Sequence, residues 1–292
     1  MIKKIFKELR KARGYTQADV SDDIVSKSLI SKFENGTSML AADKLLRAIE
    51  NLNMTANEFV RVLNNYRPDR MERLYHTLNH IRFAGLEDSE QLERLLIDEP
   101  TDKFEVLSNI MIKSVLQYVT GKQYVSKAEK VIVGDYLTEL DIWTEFEVKL
   151  LYYTCSILDN GDCRWFGEVL IDKSKNFYAT MHQRLFLVTL LAVYDSCLQH
   201  EDLFDAAFFR EQISQFDFEE DLVVIVNFQI LIDLHDYIEN PTNENFIKAE
   251  KYIDKVEALG VKGMAGYSRA RLRKLNSSSS TLLKLVNDNR LL

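Results

Sequence analysis

The sequence predicts an all-α protein: a module of five short helices over residues 1–66, then an α-solenoid of paired helices over 67–292. Three observations predict it. Only 3 prolines and 10 glycines punctuate 292 residues, too few for the turns of a strand-rich fold. Apolar residues make up 46% of the chain, enough to bury a large core, and they recur mostly at helical spacing. Capping residues and glycine stops divide the first sixty-six residues into short pieces.

Each element has its own signal. Ile2, Ile5, Phe6, Leu9 and Ala12 form the first apolar stripe, and Gly14 ends it. Thr16 caps a second helix, "TQADVSDDI", with Ala18, Val20 and Ile24 as its seam. Ser26 caps a third, in "SKSLISKFENG", with Ile30 and Phe33 turned inward and Gly36 as a left-handed stop. Leu29 is either a groove-facing apolar contact or packing against the second helix. Leu40, Leu45, Leu46 and Ile49 make a fourth helix. "TANE", Thr55 to Glu58, is a capping box that opens a fifth over Phe59, Val62 and Leu63.

From Arg67 onward the expected helices are Asp69–Phe83, Glu87–Leu96, Phe104–Thr120, Lys127–Leu137, Glu145–Leu158, Phe177–His200, Leu203–Phe216, Leu222–Ile238 and Asn243–Leu259. Ala206-Ala207-x-x-Arg210, and Phe246-x-x-Ala249 followed by Leu259-Gly260, look like fragments of tetratricopeptide repeats, without a full consensus. At the end, Ser277–Ser280 is a spacer before a last helix at Leu282, Leu283, Leu285 and Val286, or the terminus frays.

Charge divides the chain. Residues 1–66 carry 11 Lys and Arg against 8 Asp and Glu, a balance of +3; the remainder carries 26 against 37, or −11. A basic head fits a polyanion and an acidic body fits something else. Three cysteines, Cys155, Cys163 and Cys197, with no CxxC, point to the reducing cytoplasm. Met1-Ile2-Lys3-Lys4 opens an amphipathic segment rather than a signal peptide, and Leu222–Leu234 is too short to span a bilayer, so no membrane partner is expected.

Five short helices with the second and third nearly abutting describe a helix-turn-helix module. In that geometry the second helix braces double-stranded DNA and the third enters its major groove. A groove helix needs one apolar side and a small or basic opposite side, because acid is repelled by phosphate.

"LRKARGYTQADVSDDI" with "SKSLISKFENG" resembles the Xre/Cro-type helix-turn-helix family over residues 4–63. The usual glycine between the second and third helices is replaced by "DDIVSK". The resemblance implies that Gln17 contacts phosphate or base, that Lys27, Ser28 and Lys32 face the groove, and that Ser31 reaches phosphate. It pairs Arg10 with Glu34 as a bridge between the first and third helices. Lys11 and Arg13 are further candidates for phosphate. Outside this motif the lysines would read as an ordinary solvated face.

The whole chain also resembles the Rgg/GadR/MutR-type regulators of Firmicutes. The resemblance rests on Val25-Ser26-Lys27-Ser28 with "ISKFENG", where that family also shortens the turn, on "LTELDIWTEFEVKLLYY" (Leu137 to Tyr153), and on the long helical body. It implies a cytoplasmic transcriptional regulator that acts as a homodimer on paired DNA sites and responds to a short peptide pheromone.

An extended peptide needs amides for its backbone and apolar pockets for its side chains. Asn227, alone in "LVVIVNFQILIDL", is the leading candidate, as a ligand contact or as an internal helix-to-helix bond. Gln229, Asp233 and Tyr237 share a neighbouring stripe; Arg184, Tyr152, Tyr153 and Phe186 are further candidates. Two other readings stay open: a scaffold whose solenoid binds a protein, and a regulator with no peptide ligand.

No catalytic residue, cofactor or metal is expected. His76 and His80 stand four apart with no third ligand near, and neither GxxxxGK[ST] nor GxGxxG occurs.

Overall fold

A computed structural model describes residues 1–84, 89–173 and 183–288. Among them every regular element is helical, and none of the helices is long and apolar enough to cross a membrane. The chain divides into two units, Met1–His76 and Thr77–Leu292.

The first unit contains α1 (Ile2–Ala12), α2 (Lys27–Glu34), α3 (Ala42–Glu50), α4 (Ala56–Leu63) and the start of α5 (Arg70–Ala84). Its core joins Phe6 of α1, Val20, Val25, Ile30 and Phe33 of α2, Ile49 of α3 and Phe59 of α4. Phe6 meets Phe33 edge-on, with ring centroids 5.6 Å apart. Ser26 caps α2 by accepting the Leu29 N–H, and Gly36 stops it at φ +81°. The Thr55–Glu58 capping box is present, with both partners bonded reciprocally. Leu29 is partly buried and packs against the core of this unit, with no second helix for it to meet.

The expected second helix is a turn at 17–20. Thr16 and Asp19 bond reciprocally as a cap would, but the chain then leaves the helical path. The Asp22 carboxylate accepts the N–H groups of Ile24 and Val25, a local alternative that competes with helix extension. Arg47 (2.6 Å) and Asn51 (3.0 Å) hold the same carboxylate from α3. These bonds, with Asn51 the largest contributor, then Val25, then Arg47, keep Asp22 well below the usual carboxylate range. The seam shifts accordingly: Val20 and Val25 are buried, whereas Ala18 and Ile24 are exposed. Ala12 and Leu46, expected inside, also face solvent.

The second unit holds the rest of α5 and then α6 (Ser89–Glu93), α7 (Lys103–Thr120), α8 (Lys127–Thr138), α9 (Glu145–Thr154), a 3-10 turn at Cys155–Ile157, α10 (Asn160–Asp172), α11 (Gln183–Gln199), α12 (Leu203–Ser214), α13 (Leu222–Glu239), α14 (Asn243–Ala258) and α15 (Lys262–Asp288). α7 packs on α9, α9 on α11 and α11 on α13, while α12 and α14 pack behind them. Burial follows this order: Leu187, Leu190, Val193, Tyr194 and Cys197 of α11 are all shielded from solvent. All three cysteines are buried and unbridged.

Two helices were not expected. α10 begins where Asn160-Gly161 reads as a break, yet Cys163, Phe166, Gly167 and Leu170 form one buried stripe. α15 runs as one helix through Ser277, whose hydroxyl donates to the Lys274 carbonyl. The expected helix starts at Glu87 and Phe177 lie outside the described residues, as do the side chains of Leu282, Leu283, Leu285 and Val286.

A Cβ at Gly167 would stand 2.6–2.9 Å from the Phe209 ring and a Val193 methyl, whereas one at Gly134 in α8 meets nothing within 4 Å. Gly167→Ala is therefore expected to lower unfolding free energy by about 1–3 kcal/mol through overpacking. Gly134→Ala is expected to raise it by roughly 0.5–1 kcal/mol. Denaturant melts of the two variants check both signs.

Candidate functional sites

The first site is the outer face of α2. Ile30, Phe33 and Glu34 are buried, which leaves Lys27, Ser28 and Lys32 exposed and Ser31 half-buried. The face is fixed from beneath. Arg10 of α1 grips Glu34 with both arms, Nε to Oε1 at 2.6 Å and Nη2 to Oε2 at 2.8 Å, and also donates to the Tyr15 carbonyl. Burial alone would raise the Glu34 carboxyl; the bonds from Arg10 and Gln17 outweigh it and hold the group below its ordinary value.

Gln17 is part of this brace, its amide donating to Glu34 at 2.9 Å. Lys11 and Arg13 are exposed at the end of α1. The face thus offers ammonium and hydroxyl groups on a small, rigid helix, the chemistry that phosphate oxygens and base edges accept.

The second site is a cavity of about 500 Å³ within the Thr77–Leu292 unit. Every helix that lines it is odd-numbered. α13 supplies Val223, Asn227, Ile230, Leu231 and Leu234, one stripe at helical spacing. α11 adds Arg184, Leu185, Val188, Leu191 and Asp195; α9 adds Lys149, Tyr152 and Tyr153. Asn79 and Arg82 come from α5, Tyr118 from α7, and Met264, Tyr267 and Arg271 from α15.

Of the residues expected to hold a peptide, Asn227, Arg184, Tyr152 and Tyr153 meet at this cavity. Asn227 spends one amide hydrogen on the Val223 carbonyl at 3.0 Å. Gln229, Asp233 and Tyr237 lie outside the lining. Gln229 donates to Asp233, which also pairs with Lys248 of α14 at 3.1 Å, and the Tyr237 hydroxyl donates to Asn276 of α15 at 2.9 Å. The reason is helical geometry: Gln229 follows Asn227 by two residues, more than half a turn around α13. Phe186 is buried and meets the Phe216 ring rather than the cavity.

The cavity also contains groups that the sequence did not single out. The Arg82 guanidinium lies over two rings, 4.7 Å from the Tyr118 centroid and 4.6 Å from that of Tyr152, and donates to the Tyr152 carbonyl. Tyr118 stacks on Tyr267 at 4.9 Å. Burial lifts the hydroxyls of both tyrosines above their ordinary range, so both stay protonated. Arg271 pairs with Asp195. Asp195 carried a readable signal, an acid in the apolar run "FLVTLLAVYDSCLQ", as Asn227 did in its own helix. Among the described residues no three His, Cys, Asp or Glu side chains converge as a metal site requires.

A family model for the C-terminal domain of the HTH-type transcriptional regulator Rgg matches residues 90–269, and a helix-turn-helix domain model matches residues 4–66. Solved structures share the fold. The SHP pheromone receptor Rgg2 of Streptococcus dysgalactiae aligns at a TM-score of 0.73 and 18% identity, over 94% of this chain and 99% of that one. A candidate transcriptional regulator of Listeria monocytogenes EGD-e aligns at 0.75 and 15%, over 96% and 98%. PrgX in its complex with iCF10 aligns at 0.63 and 14%, over 96% and 90%. With the C-terminal model covering more than half its length and a helix-turn-helix in front of it, this chain belongs to the Rgg family of HTH-type transcriptional regulators.

Proposed function

We propose that the protein binds DNA as a homodimer through α2 and senses a short peptide in the cavity of its second unit. Lys27, Ser28, Ser31 and Lys32 meet the groove and adjacent phosphates, and Lys11 and Arg13 add phosphate contacts. Gln17 acts through Glu34, positioning α2. The observation that carries the sensing half is the cavity. Its volume falls within the roughly 300–1,000 Å³ of ligand pockets, and its walls combine leucines, valines and Ile230 with the amides of Asn79 and Asn227. That mixture suits a peptide, whose backbone needs hydrogen bonds while its side chains seek apolar cover. Related folds include a pheromone receptor, Rgg2.

The mechanism is a shift of population. A peptide that binds one arrangement of the helical unit better than another favours that arrangement, and the DNA affinity changes by the same coupling, typically 5- to 150-fold or about 1–3 kcal/mol. The test is a mobility shift with a DNA fragment from upstream of the protein's own gene, with and without the small-peptide fraction of the host's spent medium. The expected result is a shifted band whose midpoint moves at least about fivefold with the peptide fraction. A shifted band that ignores the peptide fraction leaves a regulator without a peptide ligand; no shift at all leaves the scaffold.

A further inference from the structure

The fold gathers two cysteines that no function above uses. Cys155 stands in the 3-10 turn that follows α9, and Cys163 stands in the first turn of α10. Both are shielded from solvent, and their thiols lie within hydrogen-bonding reach of each other, with Cys163 donating. Cys155 donates in turn to the Tyr152 carbonyl at 3.6 Å, the oxygen that Arg82 also meets at 3.1 Å. Ser196 of α11 holds the pair from a third side. Its hydroxyl donates to the Cys155 carbonyl at 3.1 Å and touches the Cys163 thiol.

The members of this cluster are not equivalent. The bond from Cys163 holds the Cys155 thiol below its ordinary value against the opposing effect of burial, and the Arg82 guanidinium adds to it. A lowered thiol is the better source of thiolate, which is the reactive form. Cys163, as the donor, is raised. Cys197 of α11 is buried too, but burial pushes its thiol up to about 12, so it stays protonated. Cys155 is also only one residue deep. It bonds Tyr152, and Tyr152 lines the cavity, so a molecule little larger than water that enters the cavity has only that wall to pass.

We propose that Cys155 and Cys163 form a reversible thiol–disulfide site whose oxidant is a small peroxide. The Cys155 thiolate attacks one peroxide oxygen, the O–O bond breaks, and hydroxide leaves with a proton as water; Cys155 becomes a sulfenic acid. Cys163 then attacks that sulfur, the S–O bond breaks, and a second water leaves. In sum two thiols lose two electrons and two protons, and hydrogen peroxide is reduced to two waters. A dithiol reverses the bond by exchange. The disulfide retains no S–H for the Tyr152 carbonyl. In a reducing compartment such a bond is transient and forms under oxidant, as sensing disulfides do.

The test uses the folded full chain, reduced and then treated with hydrogen peroxide. Free thiols are alkylated after unfolding, and the chain is digested and mapped by mass spectrometry without reduction. The expected product is one bond within the chain, Cys155 to Cys163, with Cys197 alkylated and the bond lost on adding dithiothreitol. Cys163→Ser keeps a donor beside Cys155 but no second sulfur, so Cys155 should stop at a sulfenic acid that dimedone labels. Cys155→Ser should slow the oxidation of Cys163 by about tenfold or more. Cys197→Ser should leave the bond unchanged. Thermal melts show which variants fold, and the wild-type map decides the matter without them. Two free thiols at Cys155 and Cys163 after peroxide would overturn the inference. So would a bond that includes Cys197, one that forms only between chains, or one that forms only after unfolding.

Discussion

The double substitution Lys27→Ala, Lys32→Ala is expected to lower affinity for the upstream fragment by about a hundredfold or more, with the fold intact. Both lysines are exposed on α2 and neither belongs to the core cluster around Ile30 and Phe33, so their removal touches no core contact. Alanine is a strong helix former, and surface changes of this kind usually stay within about 0.5 kcal/mol. The loss falls on binding because two ammonium groups no longer meet phosphate or base. Good specific contacts are worth roughly 1–3 kcal/mol each. The salt dependence should report it too: two lost phosphate contacts reduce the slope of log K against log salt by about two. A titration at several salt concentrations, beside a thermal melt, separates this outcome from simple unfolding. Unchanged affinity would remove α2 from the DNA interface.

Arg10→Ala acts through a different link, from packing to stability. Arg10 and Glu34 are both buried and bonded at 2.6 and 2.8 Å, and the side chain of Glu34 is wholly shielded from solvent. Removing one partner of a buried pair leaves an uncompensated charge and typically costs about 3–5 kcal/mol. Replacing both by apolar residues of similar volume should cost much less, since neither charge then remains. The pH dependence has a definite sign. The Glu34 carboxyl lies below its ordinary value of 4.5 in the folded protein. Its stabilisation is therefore present above that ordinary value and is lost as pH falls through the lower, folded-state value. The wild-type first unit should lose stability on acidification below about pH 4.5, and Arg10→Ala should flatten that profile. Urea melts across pH, followed by far-ultraviolet circular dichroism, check both effects.

What could be read from the sequence depended on how local the cause was. α2 was legible because its cap, its seam and its stop all lie within Ser26–Gly36. The segment before it was not. Thr16 and Asp19 promise a helix, and the carboxylate that diverts the chain, Asp22, is held by Arg47 and Asn51 from α3. α10 was hidden by Asn160-Gly161, which reads as a break; its buried stripe includes Gly167, whose small size matters only because Phe209 and Val193 press on it. In the cavity Asn227 was found because an amide stands out in an apolar helix. Arg82 and Arg271 were missed because arginines amid polar neighbours look like surface residues, and only tertiary packing sets them against Tyr118, Tyr152 and Asp195. Gln229, Asp233 and Tyr237 look equally suited by type, yet α13 turns them toward one another and toward Lys248 and Asn276.

The central claim is that occupancy of the cavity governs DNA binding, and filling the cavity tests it most directly. Asn227 is half-buried in the wall and, among the described residues, bonds its own helix at Val223, so Asn227→Trp adds bulk there without opening the core. Wild type and variant should be titrated side by side on the upstream fragment, with and without the small-peptide fraction. The account predicts equal DNA affinity without peptide, and a peptide-dependent change of at least about fivefold in the wild type that the variant lacks. A variant that responds as fully as the wild type would place the sensor elsewhere and contradict the account.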